Sequence, residues 1–247
     1  MRERQDGPTY SDADVAALYD VLNRWGPGDD FYLTLIRDAE SVLDVGCGTG
    51  TLLHHARQAE HTGRLCGVDP DQAILAVARS HRGIEWCDGT AASMTWTGEF
   101  DLAVMTGHAF QCLITDEEVR ASLVAIRHAL VPGGRFAFET RNPLVRAWEH
   151  WDGMDPIEAV DPQGRAVRVS YDVEDIVEDV VALAEITCDS ENRRLRVDRA
   201  RLRFMDNQLL TDFLDGAGFD IEAQYGNWDR SALSPSSPEI ITIARTR

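Results

Sequence analysis

Residues Val42-Leu43-Asp44-Val45-Gly46-Cys47-Gly48-Thr49-Gly50 run an apolar, β-branched segment straight into three alternating glycines, and TLLHHARQAE follows with helical spacing. A buried strand that enters a glycine-dense turn and leaves it as a helix lets the backbone approach a ligand closely and aims a helix N-terminus at it. That is the first βαβ unit of a doubly wound sheet. The spacing separates two cofactor classes. Dinucleotide sites use G-x-G-x-x-G, whose third glycine falls where this chain has Thr51; the pattern here is G-x-G-x-G, with Asp44 near the strand end. The nicotinamide reading is disfavoured on that count. A glycine turn with no ligand is the plain alternative, and three glycines at this point of a βαβ unit weigh against it.

The rhythm continues downstream. RLCGVD, IEWCDG, FDLAVMT and GRFAFET read as short buried strands, with helical patterns at QAILAVARS and EVRASLVAIRHAL between them. The expected product is an α/β, Rossmann-like, mostly parallel sheet with helices on both faces and its ligand site outside the carboxyl ends of the strands. Residues 1–40 read as an N-terminal helical segment, with Ser11 as N-cap. After Thr140 the pattern changes. Residues 166–205 hold three β-type runs without room for crossover helices, so an antiparallel β insertion is expected within 146–205. Its last run carries apolar residues at Leu195 and Val197, then at Ala200, Leu202 and Phe204; the slip in phase predicts a bulge near Asp198. A helix at NQLLTDFLDGAG, a strand at FDIEAQY and a strand at EIITIAR then complete the core, which comprises 41–145 and 206–247 and closes with a terminal hairpin.

All 24 basic residues among the 247 are arginine, against 42 acidic ones, for a net charge of −18. Chemistry that needs a lysine, such as a Walker-type phosphate loop or a Schiff base, is excluded. The acidic balance argues against nucleic acid or an anionic membrane as partner, because both are bound through Lys and Arg. Five dispersed cysteines without a CxxC pair fit reduced thiols, and neither a disulfide frame nor a metal site is expected. The polar opening MRERQDGPTYSDAD has no signal-like apolar core, so a cytoplasmic protein is expected, and the Ala/Arg/Asp-rich, lysine-free composition suggests a bacterial source.

Asp69 ends the second strand where a ribose diol would need an ionised acceptor; capping the next helix is its competing role. Asp88 and Gly89 end the third strand where an adenine edge would be read, with a plain Asp-Gly turn as the alternative. Taken with Gly67-Val68-Asp69-Pro70-Asp71, Phe100-Asp101-Leu102-Ala103-Val104 and Leu130-Val131-Pro132-Gly133-Gly134-Arg135-Phe136, the glycine turn makes the chain resemble the class I S-adenosylmethionine-dependent methyltransferases over about 100 residues. The resemblance implies a seven-stranded sheet with its last strand antiparallel, and S-adenosylmethionine as cofactor. It also implies cofactor contacts from Asp44, the backbone of Gly46, Cys47, Gly48 and Gly50, Asp69 with Pro70, Asp88, Gly89 and Thr90, and Thr106 after the fourth strand.

A sulfonium already carries a good leaving group, so such an enzyme aligns a nucleophile and excludes water, and a base is needed only for a protonated acceptor. His108 is the best placed titratable group, although it could equally cap a helix or line the pocket. Glu139 and Arg141 end the fifth strand, and Arg141 could clamp an acceptor carboxylate or phosphate or stay at the surface in an ion pair. Trp25, Phe31 and Tyr32 form a Gly/Pro-hinged aromatic stretch read as a lid, against ordinary helix packing, and Trp228 in the last loop reaches the same face. The acidic and arginine-rich strands of the insertion should pair with each other; the insertion would wall a small-molecule acceptor pocket or form a homodimer contact. Transfer of a methyl group to nitrogen or oxygen of a small molecule is the reading that results, with a cofactor-binding protein lacking transfer activity as the alternative.

Overall fold

The computed structural model describes residues 10–151 and 153–247. Two helices, α1 (Asp12–Leu22) and α2 (Pro27–Arg37), precede the sheet. Both start on sequence signals: Ser11 and Asp14 form a reciprocal capping box on α1, and Pro27 sits at the first turn of α2. The first nine residues of the expected helical segment lie outside the described residues.

The core alternates as the apolar runs require: β1 (Ser41–Val45), α3 (Thr51–Gln58), β2 (Arg64–Asp69), α4 (Gln72–Ala78), β3 (Glu85–Asp88), β4 (Phe100–Met105), α5 (Asp116–Ala129) and β5 (Leu130–Arg141). A short 3-10 turn at 91–93 stands between β3 and β4 in place of a helix. After the insertion, which supplies α6 (Trp148–Trp151) and four further strands, come α7 (Asn207–Gly216), β10 (Phe219–Tyr225) and β11 (Glu239–Thr246). The seven core strands are ordered β10-β11-β5-β4-β1-β2-β3, and β11 runs antiparallel to both of its neighbours. The seven-stranded, mostly parallel sheet closed by a terminal hairpin is therefore present.

Each face of the sheet is covered. On one, Phe110, Phe136 and Phe138 stack with ring centroids 4.4 and 4.6 Å apart beneath α5 and α7. On the other, Val42, Leu102 and Ile241 meet Ile36 of α2 and Leu53 of α3. Nearly every position of β1 and β2 is buried, which accounts for their continuous apolar runs.

The insertion is a four-stranded antiparallel sheet, β6 (Ile157–Val160), β7 (Ala166–Val177), β8 (Val180–Asp189) and β9 (Arg194–Arg203), one strand more than the three runs predict. The bulge does not sit at Asp198. Pairing runs unbroken from Val197 to Arg203, and the irregularity lies at Leu195, between the pairs Thr187↔Arg196 and Cys188↔Arg194. The phase slip disappears because charged side chains on both faces are satisfied: Arg196 pairs with Asp198 and with Asp12 of α1, and Arg199 with Glu174. Arg203 reaches Asp116 of α5 and Asp179, so the insertion is tied to the core by its arginines.

Candidate active site

The glycine turn, the ends of β4 and β5, α1, the start of α2 and the loop before β11 enclose a cleft of about 340 Å³ at the carboxyl ends of the strands. Asp44 forms its floor. It is 1% exposed, and neither carboxylate oxygen has a hydrogen-bond partner. Burial, reinforced by the Asp69 and Glu139 carboxylates, pushes its pKa up to about 8. An orphaned buried carboxylate lining a cleft fits a cationic group.

The glycine turn spends its backbone donors inside the protein. Gly46 and Cys47 N–H donate to the Val68 carbonyl at 2.8 and 3.1 Å, Gly48 N–H to the Asp69 carboxylate at 2.9 Å, and Gly50 N–H to the Cys47 carbonyl at 2.9 Å. A pyrophosphate needs such donors free, so these four offer it no cradle. For the same reason, contact with a ligand at Gly46, Cys47 and Gly48 falls to backbone surface and carbonyls. Gly50 does not line the cleft; it holds a left-handed φ of 77°, and a Cβ there would lie 2.3 Å from the Trp86 ring. Its glycine is a packing requirement.

Asp69 is 8% exposed and accepts a second backbone hydrogen bond from Asp71 N–H at 2.8 Å. Asp71, not Asp69, caps α4. Each Asp69 oxygen therefore keeps a lone pair for a hydroxyl donor. Asp69, Pro70, Asp88, Gly89 and Thr90 stand outside the main cleft, Asp69 reaching its edge through the hydrogen bond from Gly48 N–H. Asp88 accepts from the Gln72 side chain at the end of β3, and Gly89 N–H donates to the Asp69 carbonyl at 3.2 Å, which sets these residues beside Asp69 along the strand ends.

Thr106, Trp25, Tyr32, Glu139, Arg141 and Trp228 all line the cleft; Phe31 does not. Phe31 packs behind, edge-on to Tyr32 at 5.5 Å and tilted on Trp228 at 5.8 Å, because its position on α2 faces the core. Tyr32 donates its hydroxyl to the buried Glu139 carboxylate, whose other oxygen accepts His108 N–H at 2.8 Å. Burial raises the pKa of both Tyr32 and Glu139. His108 Nε2 lies 3.0 Å from Glu239 on β11. A carboxylate only accepts, so this pairing puts the ring proton on Nε2 and leaves Nδ1 as the proton acceptor. His108 itself is held at a left-handed φ of 62° by the turn after β4.

Tyr19, Asp20 and Asn23 of the first helical segment also wall the cleft, unforeseen because nothing in a short amphipathic helix says what its polar side meets. Thr49 donates to Asp20 at 2.6 Å. Glu239 was equally invisible, being brought to His108 across 131 positions of chain. Beyond His108 a second cavity of about 290 Å³ opens between α1 and the insertion sheet, lined by Tyr171, Glu185 and Thr187 and sharing Tyr19, Asn23, Gly107, His108 and Arg141 with the first.

A sheet of this order, with a glycine turn and an acidic residue at the ends of its first two strands, defines a Rossmann-like enzyme for a nucleoside cofactor without a pyrophosphate contact at the turn. Residues 42–134 match the family described as methyltransferase domain. The chain is 32% identical over 144 residues, 55% of its length and 58% of the other, to the cypemycin N-terminal methyltransferase of a Streptomyces species. It is 35% identical over 117 residues, 44% of its length and 45% of the other, to the ubiquinone biosynthesis O-methyltransferase of Idiomarina loihiensis. Its matches thus span about half the length of these curated relatives. Its fold is similar to that of CalS10, an amino pentose methyltransferase from Micromonospora echinaspora, with a TM-score of 0.70, 21% identity and 100% of both chains covered. Residues 42–134 thus match a methyltransferase domain, and these likenesses support a class I S-adenosylmethionine-dependent methyltransferase with S-adenosylmethionine as cofactor.

Proposed function

We propose that the protein transfers a methyl group from S-adenosylmethionine to a nitrogen or oxygen atom of a small molecule. The orphaned Asp44 carboxyl carries this reading: a buried acid without a partner, beside Asp69 and Glu139, ionises readily only against a cation, which fits the ammonium and sulfonium of that cofactor and does not fit a pyrophosphate. When bound, the cofactor supplies an electrophilic methyl group. The protein's own residues do the rest. Asp69 offers two acceptor oxygens to a diol, the glycine turn gives close backbone approach, and α1 closes over the turn through Asp20. Gly107, His108, Tyr19 and Arg141 stand where the two cavities join, so the acceptor enters from the insertion side and meets the methyl there. His108, oriented by Glu239, takes the proton from a hydroxyl or ammonium acceptor at Nδ1. Tyr32 and Glu139 hold the His108 backbone in place.

Among the described residues no helix is long and apolar enough to cross a membrane. The cavities are sized for a metabolite, and Arg196, Arg199 and Arg203 of the insertion are engaged in ion pairs within the chain, which supports a small-molecule acceptor. The test is calorimetric titration with S-adenosylhomocysteine, followed by transfer of labelled methyl to a metabolite panel. Micromolar binding and transfer are expected; no binding refutes the reading, and binding without transfer to any acceptor makes the protein a non-catalytic cofactor binder.

A further inference from the structure

Arg141 is the cation of the acceptor side, and its surroundings are built around it. It ends β5 at the junction of the two cavities. Its Nη1 donates to Gln111 Oε1 at 3.1 Å, and the guanidinium lies over the Trp151 ring with 5.0 Å to the centroid. Gln111 is fully buried, and its amide is oriented: Nε2 donates to the Arg203 carbonyl at 3.0 Å, which turns Oε1 toward Arg141. Two flanking groups therefore hold the guanidinium in one plane, an arrangement with no purpose for a solvated surface arginine.

The neighbouring carboxylates are already taken. Glu139 accepts from Tyr32 and from His108 N–H, and Glu239 is paired with His108. Among the described residues no carboxylate lies within the 4.0 Å of an ion pair to Arg141, and burial lowers the guanidinium's pKa. A partly desolvated, pre-oriented fork facing a cavity is a receptor for a planar or tetrahedral oxyanion, whose bidentate hydrogen bonds would offset the desolvation. The far wall has the opposite preference: Glu185, raised in pKa by burial and paired across the strands with Tyr171, together with Thr187, takes hydroxyl or amine donors.

We infer that the methyl acceptor is a small hydroxylated or aminated acid, anchored through its carboxylate or phosphate by Arg141, with Gln111 and Trp151 as the residues that position the guanidinium. The inference rests on the methyltransferase reading above and narrows its acceptor class. It also places an anion in a protein of net charge −18, so recognition must come from the local guanidinium of Arg141 and not from the overall field.

The test uses the full chain saturated with S-adenosylhomocysteine and a matched series of glycerate, glycerol 3-phosphate and glycerol. Saturation by S-adenosylhomocysteine, seen as a rise in melting temperature, checks the cofactor reading first and separately. The two acids at millimolar concentration should then raise the melting temperature further while glycerol does not. Response to glycerate alone identifies a carboxylate acceptor, and response to glycerol 3-phosphate alone a phosphate ester. Arg141→Gln should weaken the responding acid at least tenfold while S-adenosylhomocysteine affinity stays within about twofold, and Arg141→Lys should fall between, having charge without the fork. In the wild type, phenylglyoxal labelling of Arg141 read by peptide mass spectrometry should be slowed by the same acid, which needs no variant to fold. Equal effects of glycerol and the acids, no effect of either acid on the saturated protein, or unprotected Arg141 would each overturn the inference.

Discussion

Thr49, inside the glycine turn, donates its hydroxyl to Asp20 of α1 at 2.6 Å, and Thr51 at the start of α3 donates to the same oxygen at 3.3 Å. One carboxylate thereby fastens the first described helix over the turn that faces the cofactor cleft. Gly28 of α2 completes the cover from the other side, where a Cβ would stand 3.1 Å from Trp228.

Removing this clasp should loosen the cover without unfolding the core. Asp20→Ala deletes hydrogen bonds to a charged acceptor, worth about 1.5–3 kcal/mol. The expected result is a roughly tenfold weaker Kd for S-adenosylhomocysteine by calorimetry and faster hydrogen exchange across residues 12–22, with the exchange of β1 and β4 unchanged.

Asp44 sets a pH dependence. Its carboxyl is raised from 3.8 to about 8 in the fold, so between those values the folded protein holds a proton that the unfolded chain has lost. Stability from this group is therefore full below about pH 4 and declines as pH rises toward 8. Asp44→Asn removes that decline: melting curves of the ligand-free variant should fall less steeply over this window than those of the wild type. The same variant should bind S-adenosylhomocysteine far more weakly, since its ammonium loses its counter-ion. A wild-type melting profile with the variant's slope would refute the assignment.

His108→Ala should reduce kcat for a hydroxyl acceptor on the order of 100-fold, the lower end for a positioned base. Cofactor affinity should stay within about twofold, because Asp44 and Asp69 are untouched. Glu239→Gln should reproduce part of the loss by relaxing the Nε2 tautomer. Unchanged transfer in both variants would remove the histidine from the chemistry.

Gly50→Ala should cost stability before it affects binding. The left-handed φ penalises any side chain by about 1–2 kcal/mol, and a Cβ 2.3 Å from Trp86 forces a repacking worth about 1–3 kcal/mol more. Thermal melting should show the loss. Trp86→Leu in the same chain should relieve the clash and leave the cost of the left-handed φ, because the ring is what the Cβ strikes.

The core was legible because its signals are local. Continuous apolar runs at β1 and β2, the N-cap at Ser11, and the glycine turn each act within a few residues of themselves. The acceptor side was legible only in part. Arg141 and His108 stand out as residue types at strand ends, yet their partners Gln111, Trp151 and Glu239 carry no sequence mark, since an amide, an indole or a carboxylate elsewhere in the chain looks the same whether or not it reaches them. The bulge at Leu195 was misread at Asp198 for a related reason: alternation of apolar residues gives the phase of a strand only when charged side chains stay in water, and here ion pairs to other elements hold them on the sheet.

Short-range chemistry thus wrote the cofactor half of this protein into its primary structure, where a strand, three glycines and the acids at strand ends have meaning at fixed spacing. The acceptor half was decided by folding. The pairing of His108 with Glu239, the tether from Arg203 through Gln111 to Arg141, and the cavity between α1 and the insertion join segments that are remote in the chain, and their energies depend on distance and burial, which exist only once the sheets have packed.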